Sequence, residues 1–162
     1  MVYNREAAAA YASYWAYRRN PRFYDFSDIG GDCTNFASQC LYAGSEVMNY
    51  TPVYGWFYIN ANNRTASWTG VEELYNFLVN NTGPGPQGVV VPLMSIALGD
   101  IVQLKFYAGN RFDHSPVVVD PGNGTPDTVL IAAHSKDSDC RPISTYDYID
   151  IRPIHIYNVG EA

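Results

Sequence analysis

The sequence has little positive charge. Its 162 residues include ten Lys and Arg side chains against sixteen Asp and Glu, which gives a formal net charge of -6 and an isoelectric point near 4.8. A protein that binds nucleic acid needs clustered Lys and Arg to neutralise phosphates, and the basic residues here are scattered along the chain. The charge balance therefore argues against nucleic acid as a partner.

The sequence also lacks a long hydrophobic run. Its longest mostly apolar stretch, near residues 89–98, is interrupted by Pro92 and is far shorter than the roughly 20 residues of a membrane-spanning helix. The first residues lack the basic, apolar and small-residue pattern of a signal peptide. We therefore expect no membrane span, and either an intracellular protein or a mature or excised part of a longer one.

Cysteine is scarce, with three residues at Cys33, Cys40 and Cys140. A helix that contains both Cys33 and Cys40 would hold their Cα atoms about 10 Å apart, which is beyond the reach of a disulfide. The C-x-x-C pairs that structural zinc sites commonly use are missing. We expect at least one free thiol, no bound metal and no cofactor.

Apolar residues, in contrast, make up 47% of the sequence, which is enough for one globular domain over residues 1–162. Helical spacing of these residues predicts helices over 4–19, 33–43 and 70–80, and strand-like runs follow at 89–91, 101–107, 117–119, 128–133 and 149–157. Helices followed by short strands predict an α+β fold with an antiparallel sheet of about five strands. Pro153 in the last run predicts an edge strand or a bulge.

Cys33 is the candidate nucleophile. It follows Gly30, Gly31 and Asp32, which form a glycine-rich loop with an acidic residue suited to cap a helix, so Cys33 takes the first helical position. The partial positive charge of a helix N-terminus favours the thiolate, which is the reactive form of cysteine. The alternative is a small buried residue at a helix start, which is common for cysteine.

Histidines are the candidate bases for such a thiol. His114 stands at the start of one predicted strand and His134 at the end of the next. His155 lies in the Pro-containing last run and is expected to be structural.

Polar and aromatic residues near these candidates have two interpretations each. Asn35 and Gln39 lie on the helix of Cys33, where they are either surface groups or polar support for the thiol. Trp56 and Tyr58 belong to an aromatic stretch without a regular period, which indicates a long loop. Their rings would either stack on a substrate or pin the loop to the core.

Several segments resemble known families. Residues 3–8 (Tyr-Asn-Arg-Glu-Ala-Ala), 31–41 (Gly-Asp-Cys-Thr-Asn-Phe-Ala-Ser-Gln-Cys-Leu) and 134–137 (His-Ser-Lys-Asp) resemble the putative amidase domain family found in many Gram-positive bacteria. More broadly, the cysteine motif, Leu-Gly-Asp-Ile-Val at 98–102 and Asp-His-Ser-Pro-Val-Val at 113–118 resemble papain-like cysteine hydrolases of the NlpC/P60 and CHAP type. The resemblance covers nearly the whole chain. One departure is Thr-Asn after the cysteine, where NlpC/P60 proteins usually have Ser-Gly.

The resemblance implies a papain-like fold in which N-terminal helices, one with the nucleophile at its N-terminus, pack on the sheet. It implies Cys33 as the nucleophile, His114 as the base and His134 as the group that orients the base, and Asp137 is the alternative orienting group. An antiparallel strand pair can bring the start of one strand beside the end of the next, which agrees with this assignment. The backbone N–H of Cys33 would help to bind an oxyanion, with Asp32 as a polar neighbour.

The resemblance further implies hydrolysis of amide bonds through a thioester, in relatives those of cell-wall peptides. We therefore expect a monomeric, secreted or wall-associated domain of a larger protein, which acts on a peptide or peptidoglycan. The alternative is a non-catalytic module on the same fold that binds a wall polymer or glycan. Two charge states are open for the site. Cys33 and His114 form a thiolate–imidazolium pair, or both are neutral and His114 acts as a general base.

Overall fold

Four helices and nine strands make up the fold in the computed structural model, which describes residues 1–162. The helices are α1 (Arg5–Trp15), α2 (Cys33–Ser45), α3 (Ala66–Thr69) and α4 (Val71–Asn80). The strands are β1 (Tyr58–Asn60), β2 (Asn63–Arg64), β3 (Gly85–Val90), β4 (Ile101–Phe106), β5 (Phe112–His114), β6 (Val117–Asp120), β7 (Leu130–Ala133), β8 (Ser138–Pro142) and β9 (Tyr148–Gly160). None of the helices has both the length and the apolar character that crossing a bilayer requires.

The main sheet is curled, antiparallel and has seven strands in the order β3-β9-β4-β6-β7-β8, with β5 pairing with β4. The α+β class and the antiparallel sheet are confirmed, whereas the expected number of about five strands is wrong. The two additional strands are β5 and β8. Both are short, and β8 reads Ser-Asp-Cys-Arg-Pro, so neither has the apolar run from which a strand is predicted.

Strand β9 is central, so the prediction of an edge strand from Pro153 is also wrong. It pairs with β3 on one side and with β4 on the other. Pro153 is tolerated because the paired residues of β9 and β3 end at Ile154. Past that pair, the carbonyl of Pro153 accepts a hydrogen bond from the N–H of Val91. The N–H that proline lacks is therefore not required by the ladder.

The helices begin where their capping residues allow. The side chain of Asn4 accepts a hydrogen bond from the N–H of Ala7, which caps α1 as the sequence predicts. Helix α2 begins at Cys33 as predicted, although Asp32 makes no capping hydrogen bond. Helix α4 begins at Val71.

Apolar side chains form two clusters, one on each face of the sheet. Ile101, Val117 and Ala132 face the helices and belong to a 24-residue cluster that includes most of the buried aromatic rings. Their chain neighbours Val102 and Val118 belong to an eight-residue cluster on the opposite face. This alternation follows from the two-residue period of a strand, and it decides on which side of the sheet each site residue lies.

Asp100, at the start of β4, is fully buried and joins three segments of the chain. One carboxylate oxygen accepts from the Arg5 guanidinium at 2.8 Å and from the N–H of Ile156 at 3.0 Å. The other lies 2.8 Å from Nδ1 of His155 and accepts from the N–H of Ala97 at 2.8 Å. His155 is therefore part of a structural network that holds α1 against the sheet.

Replacement of Asp100 with alanine should destabilise the protein by about 3 kcal/mol or more, because it leaves the partly buried Arg5 and several N–H donors without their partner. Urea unfolding followed by circular dichroism measures the effect. The matched control is Asp127→Ala, since Asp127 is exposed and has no hydrogen bond or ion pair from its carboxylate. Equal stability of the two variants would show that the Asp100 network does not hold the fold.

Candidate active site

Cys33 opens into a cleft of about 240 Å³. The walls are the first turn of α2, the first turn of α4 and the segment from Arg111 to Asp113. The thiol is partly exposed, in contrast to Cys40, which is fully buried. The three elements therefore leave one cysteine accessible to a small molecule from the cleft.

The thiol lies against the backbone on both sides of His114. Its sulfur is 3.9 Å from the carbonyl oxygen of Asp113 and 3.7 Å from Oγ1 of Thr34, and the backbone N–H of Ser115 also points to it. Burial raises the pKa of the Cys33 thiol above its usual value, and the Thr34 hydroxyl and the Ser115 N–H only partly oppose this effect. The resting group is therefore a neutral thiol.

His114 is buried on the side of the sheet opposite the helices, where Leu104, its partner on β4, belongs to the smaller cluster. Its Nε2 lies 3.4 Å from the hydroxyl of Tyr146. The Arg141 guanidinium stacks over the Tyr146 ring, with 3.6 Å between its carbon and the ring centroid. Burial, assisted by the positive charge of Arg141, lowers the pKa of His114 to about 4. The imidazole is therefore neutral at neutral pH.

The raised pKa of Cys33 and the lowered pKa of His114 favour the neutral pair over the thiolate–imidazolium pair. No hydrogen bond joins the Cys33 thiol to either ring nitrogen of His114, so the resting thiol does not gain the charge stabilisation that an ion pair requires. Nδ1 of His114 has no hydrogen-bond partner.

His134 belongs to a different environment. Its Nδ1 lies 2.5 Å from a carboxylate oxygen of Asp32, and its Nε2 lies 2.9 Å from the carbonyl oxygen of Trp15 and 3.2 Å from the Arg19 guanidinium. Its ring stacks on Phe36 of α2 with 4.0 Å between centroids. Both nitrogens of this buried ring are thus engaged in holding α2 and the end of α1 to the sheet.

The structure does not bring His134 to His114, contrary to expectation, and strand register explains why. Val117 pairs with Ala132, so Ser115, two residues earlier, stands opposite His134, two residues later. Opposed residues share one face of a sheet, and Ser115 contacts Thr34 of α2 at 3.1 Å. His114 is one residue out of this register, and its side chain therefore points to the other face.

Asp137 does not orient His114 either. Its two carboxylate oxygens each accept from the guanidinium of Arg19 at 3.0 Å. The fork of hydrogen bonds fixes the loop after β7 against the segment that follows α1. Asp137 therefore supports the position of α1 relative to His134.

The remaining polar candidates are internal supports rather than surface groups. The carboxylate of Asp32 accepts from the N–H of Phe26 and from Asn35, each at 2.8 Å, in addition to its contact with His134. Asn35 in turn accepts from the indole N–H of Trp68, at 3.0 Å. Gln39, one turn farther along α2, accepts from the hydroxyl of Tyr11 at 2.6 Å. These bonds fix α2 rather than contact the thiol.

Trp56 and Tyr58 are both buried, which favours the interpretation in which their rings pin the loop to the core. Trp56 is fully buried, donates to Ser38 of α2 and lies 4.7 Å from the ring of Trp68. The Tyr58 ring is also buried, and its hydroxyl accepts from the N–H of Tyr24. The rings pack against core side chains, and they thereby hold the loop to the core.

Tyr146 is the group that sequence analysis missed. It provides the hydrogen bond to His114 that was expected from His134. It is one of fourteen tyrosines and follows a short 3₁₀ turn at Ile143–Thr145, with no motif around it. Nothing in the sequence therefore distinguishes it from the other tyrosines. No three His, Cys, Asp or Glu side chains converge on a possible metal site.

Comparison with known proteins finds a matching family model and a similar bacterial protein. The family model described as "Putative amidase domain" matches residues 2–157. The uncharacterized protein YhbB of Bacillus subtilis (strain 168) is 33% identical over 141 residues, which are 86% of this chain and 43% of that protein. The chain thus spans less than half the length of this relative. No solved structure matches.

The depressed pKa of His114 predicts that acid destabilises the protein. The unfolded imidazole takes up a proton below about pH 6.5, whereas the folded one does so only near pH 4. The unfolded state therefore binds the proton first, and stability should fall as the pH decreases through this window, by up to about 3 kcal/mol from this group. Urea unfolding of the wild-type protein and of His114→Gln at several pH values between 7 and 4 measures the difference. Parallel pH dependences of the two proteins would contradict the neutral, buried state of His114.

Proposed function

The chain belongs to the putative amidase domain family, and from that premise we propose that it hydrolyses amide bonds with the Cys33 thiol as nucleophile. One observation carries the proposal. The only partly exposed thiol in the cleft lies at the N-terminus of α2, against the backbone that carries His114. A nucleophile, a neutral base and a helix N-terminus are the parts that acyl transfer to a thiol needs.

The first step forms a thioester. In this structure the imidazole of His114 makes no hydrogen bond to Cys33, so for this step it would turn about its side-chain bonds until Nδ1 faces the thiol. Nδ1 then takes the thiol proton while the sulfur attacks the carbonyl carbon of the amide, and the carbonyl oxygen becomes an oxyanion. The backbone N–H of Cys33 binds this oxyanion, since Asp32 makes no capping bond to the first turn of α2. The C–N bond then breaks, and the leaving nitrogen takes the proton from the His114 imidazolium.

The second step consumes water. His114 removes a proton from a water molecule, and the oxygen attacks the thioester carbon. The C–S bond breaks, the sulfur recovers the proton from His114, and the carboxylic acid leaves. Because the same imidazole gives and takes protons in both steps, a pKa below neutrality keeps it in the accepting form at the start of each.

Tyr146 positions the base in this scheme. When Nε2 of His114 donates to the Tyr146 oxygen, the ring proton is held on Nε2 and Nδ1 keeps its lone pair for the thiol proton. The Arg141 guanidinium over the Tyr146 ring, itself held by Thr145, fixes the tyrosine. This pair takes the role that was expected from His134.

The proposed substrate is a peptide amide of the bacterial cell wall. The support is the resemblance of the cysteine and histidine motifs to NlpC/P60 and CHAP hydrolases, together with the amidase description of the family. A papain-like relation, a monomeric state and a place in a secreted or wall-associated protein belong to the same proposal. The rival is a binding module without catalysis.

Cys33→Ala should abolish hydrolysis, with a fall in rate of more than about 1,000-fold, because the nucleophile is lost. Digestion of purified peptidoglycan, followed by mass spectrometry of the products, reports both activity and the bond cut. Cys140→Ala is the matched control, since Cys140 is exposed and lies outside the cleft. Activity that survives in Cys33→Ala would exclude Cys33 as nucleophile, and a wild-type protein without activity would favour the binding module.

Tyr146→Phe should lower kcat about three- to tenfold and leave KM unchanged, since it removes one neutral hydrogen bond to the base and no substrate contact. The matched control is Tyr148→Phe. Tyr148 lies two residues from Tyr146, and its hydroxyl makes no hydrogen bond. Steady-state kinetics on a synthetic peptide that contains the bond identified by the digestion gives both constants. Equal kcat values for the two variants would remove Tyr146 from the site.

A further inference from the structure

A larger groove of about 680 Å³ runs along α4, next to the thiol cleft. Glu73 borders both cavities, and Asn76 and Asn80 continue the wall of the groove along the same helix. Spacings of three and four residues place these side chains on one face of α4 over about 10 Å. The groove therefore meets the cleft of Cys33 at Glu73 and continues along α4.

The lining of the groove is almost uncharged, and polar groups lie among a larger share of apolar surface. It contains no Lys, Arg or His, and Glu73 is its single charged side chain. Asn76 and Asn80 are exposed amides, and Thr51 and Thr82 add hydroxyl groups. An anionic ligand would find no cation here. The lining suits a neutral molecule that has apolar faces as well as hydroxyl or amide groups.

The wall opposite α4 is a fixed loop with an aromatic ring on it. Tyr54 is 84% exposed on this loop, so its ring is free to stack. The preceding Val53 has a φ of 67°, a conformation that β-branched residues rarely adopt and that surrounding bonds must hold. The N–H of Gly55 donates to Thr51 at 2.9 Å, and Asn49 bonds to the next segment at Pro84. Hydrogen bonds within the loop and to its neighbour therefore hold the backbone of this wall.

We propose that this groove binds a neutral saccharide chain. Sugar hydroxyls and acetamido groups would pair with the Asn and Thr side chains, and an apolar sugar face would stack on Tyr54. An extended peptide is a poorer match, because it commonly binds by adding a strand to a free sheet edge, and this groove is built from helices and loops. Together with the proposed hydrolysis, the groove would hold the saccharide that carries the peptide, but binding itself needs no catalysis.

The test is calorimetric titration of the full chain as Cys33→Ala, so that no ligand is consumed. The probes are a tetramer of N-acetylglucosamine, maltotetraose and a neutral tetrapeptide. We expect a saccharide to bind, and Tyr54→Ala to weaken it about fivefold through the loss of one stacking contact. Asn80→Ala should weaken binding as well. Tyr157→Ala, a variant of an exposed tyrosine outside the groove, should leave it unchanged.

Each outcome decides the proposal. Saccharide affinity that falls with Tyr54→Ala and Asn80→Ala but not with Tyr157→Ala supports it. No saccharide binding, unchanged affinity in both groove variants, or binding of the tetrapeptide alone overturns it. The result is separate from the proposed hydrolysis, since a catalytically inactive wild-type protein that binds saccharide in the groove would contradict the hydrolysis alone.

Discussion

The contact between Asp32 and His134 is the constraint on which the site depends. Asp32 is fully buried, and a buried carboxylate is costly unless its oxygens are paired. Both oxygens are used, one by His134 and the other by Phe26 and Asn35. Since Asp32 immediately precedes Cys33, this network fixes the start of α2 against the end of β7. It also engages both carboxylate oxygens, so Asp32 does not cap the N–H groups in the first turn of α2.

The two site histidines have opposite surroundings although both flank short apolar strands. The nitrogens of His134 contact the Asp32 carboxylate and the carbonyl oxygen of Trp15, and these contacts fix the ring between α2 and the end of α1. His114 faces a tyrosine hydroxyl and the positive field of Arg141 in an apolar cluster, which disfavours a second proton. The chain thereby separates a histidine that holds the fold from one that is able to accept a proton.

Part of this arrangement is predictable from sequence, because it depends on local signals. Asn4 and the glycine-rich approach to Cys33 mark helix starts, and both helices begin there. The partner of His114 depends instead on register, and a shift of one residue moves a side chain to the other face of a sheet. The sequence places His134 at the end of the correct strand. It does not show on which face of the sheet the side chain lies, and that face is the one that brings it to Asp32.

Burial of aromatic rings is a second limit on sequence interpretation. Trp56 and Tyr54 lie two residues apart in one irregular segment, yet the first is fully buried and the second is 84% exposed. No period separates them, because the loop is shaped by long-range bonds such as the one from Trp56 to Ser38. The tyrosine that faces solvent could be recognised only from the structure.

Helix α4 links the two cavities physically. Leu74, Phe77 and Leu78 anchor it in the core, so its outward face cannot shift without disturbing buried packing. Its first turn borders the thiol cleft, and its later turns border the groove. A molecule held along the later turns is therefore held at a fixed distance from Cys33, and the rigidity of one amphipathic helix determines which bond of a long substrate would reach the thiol.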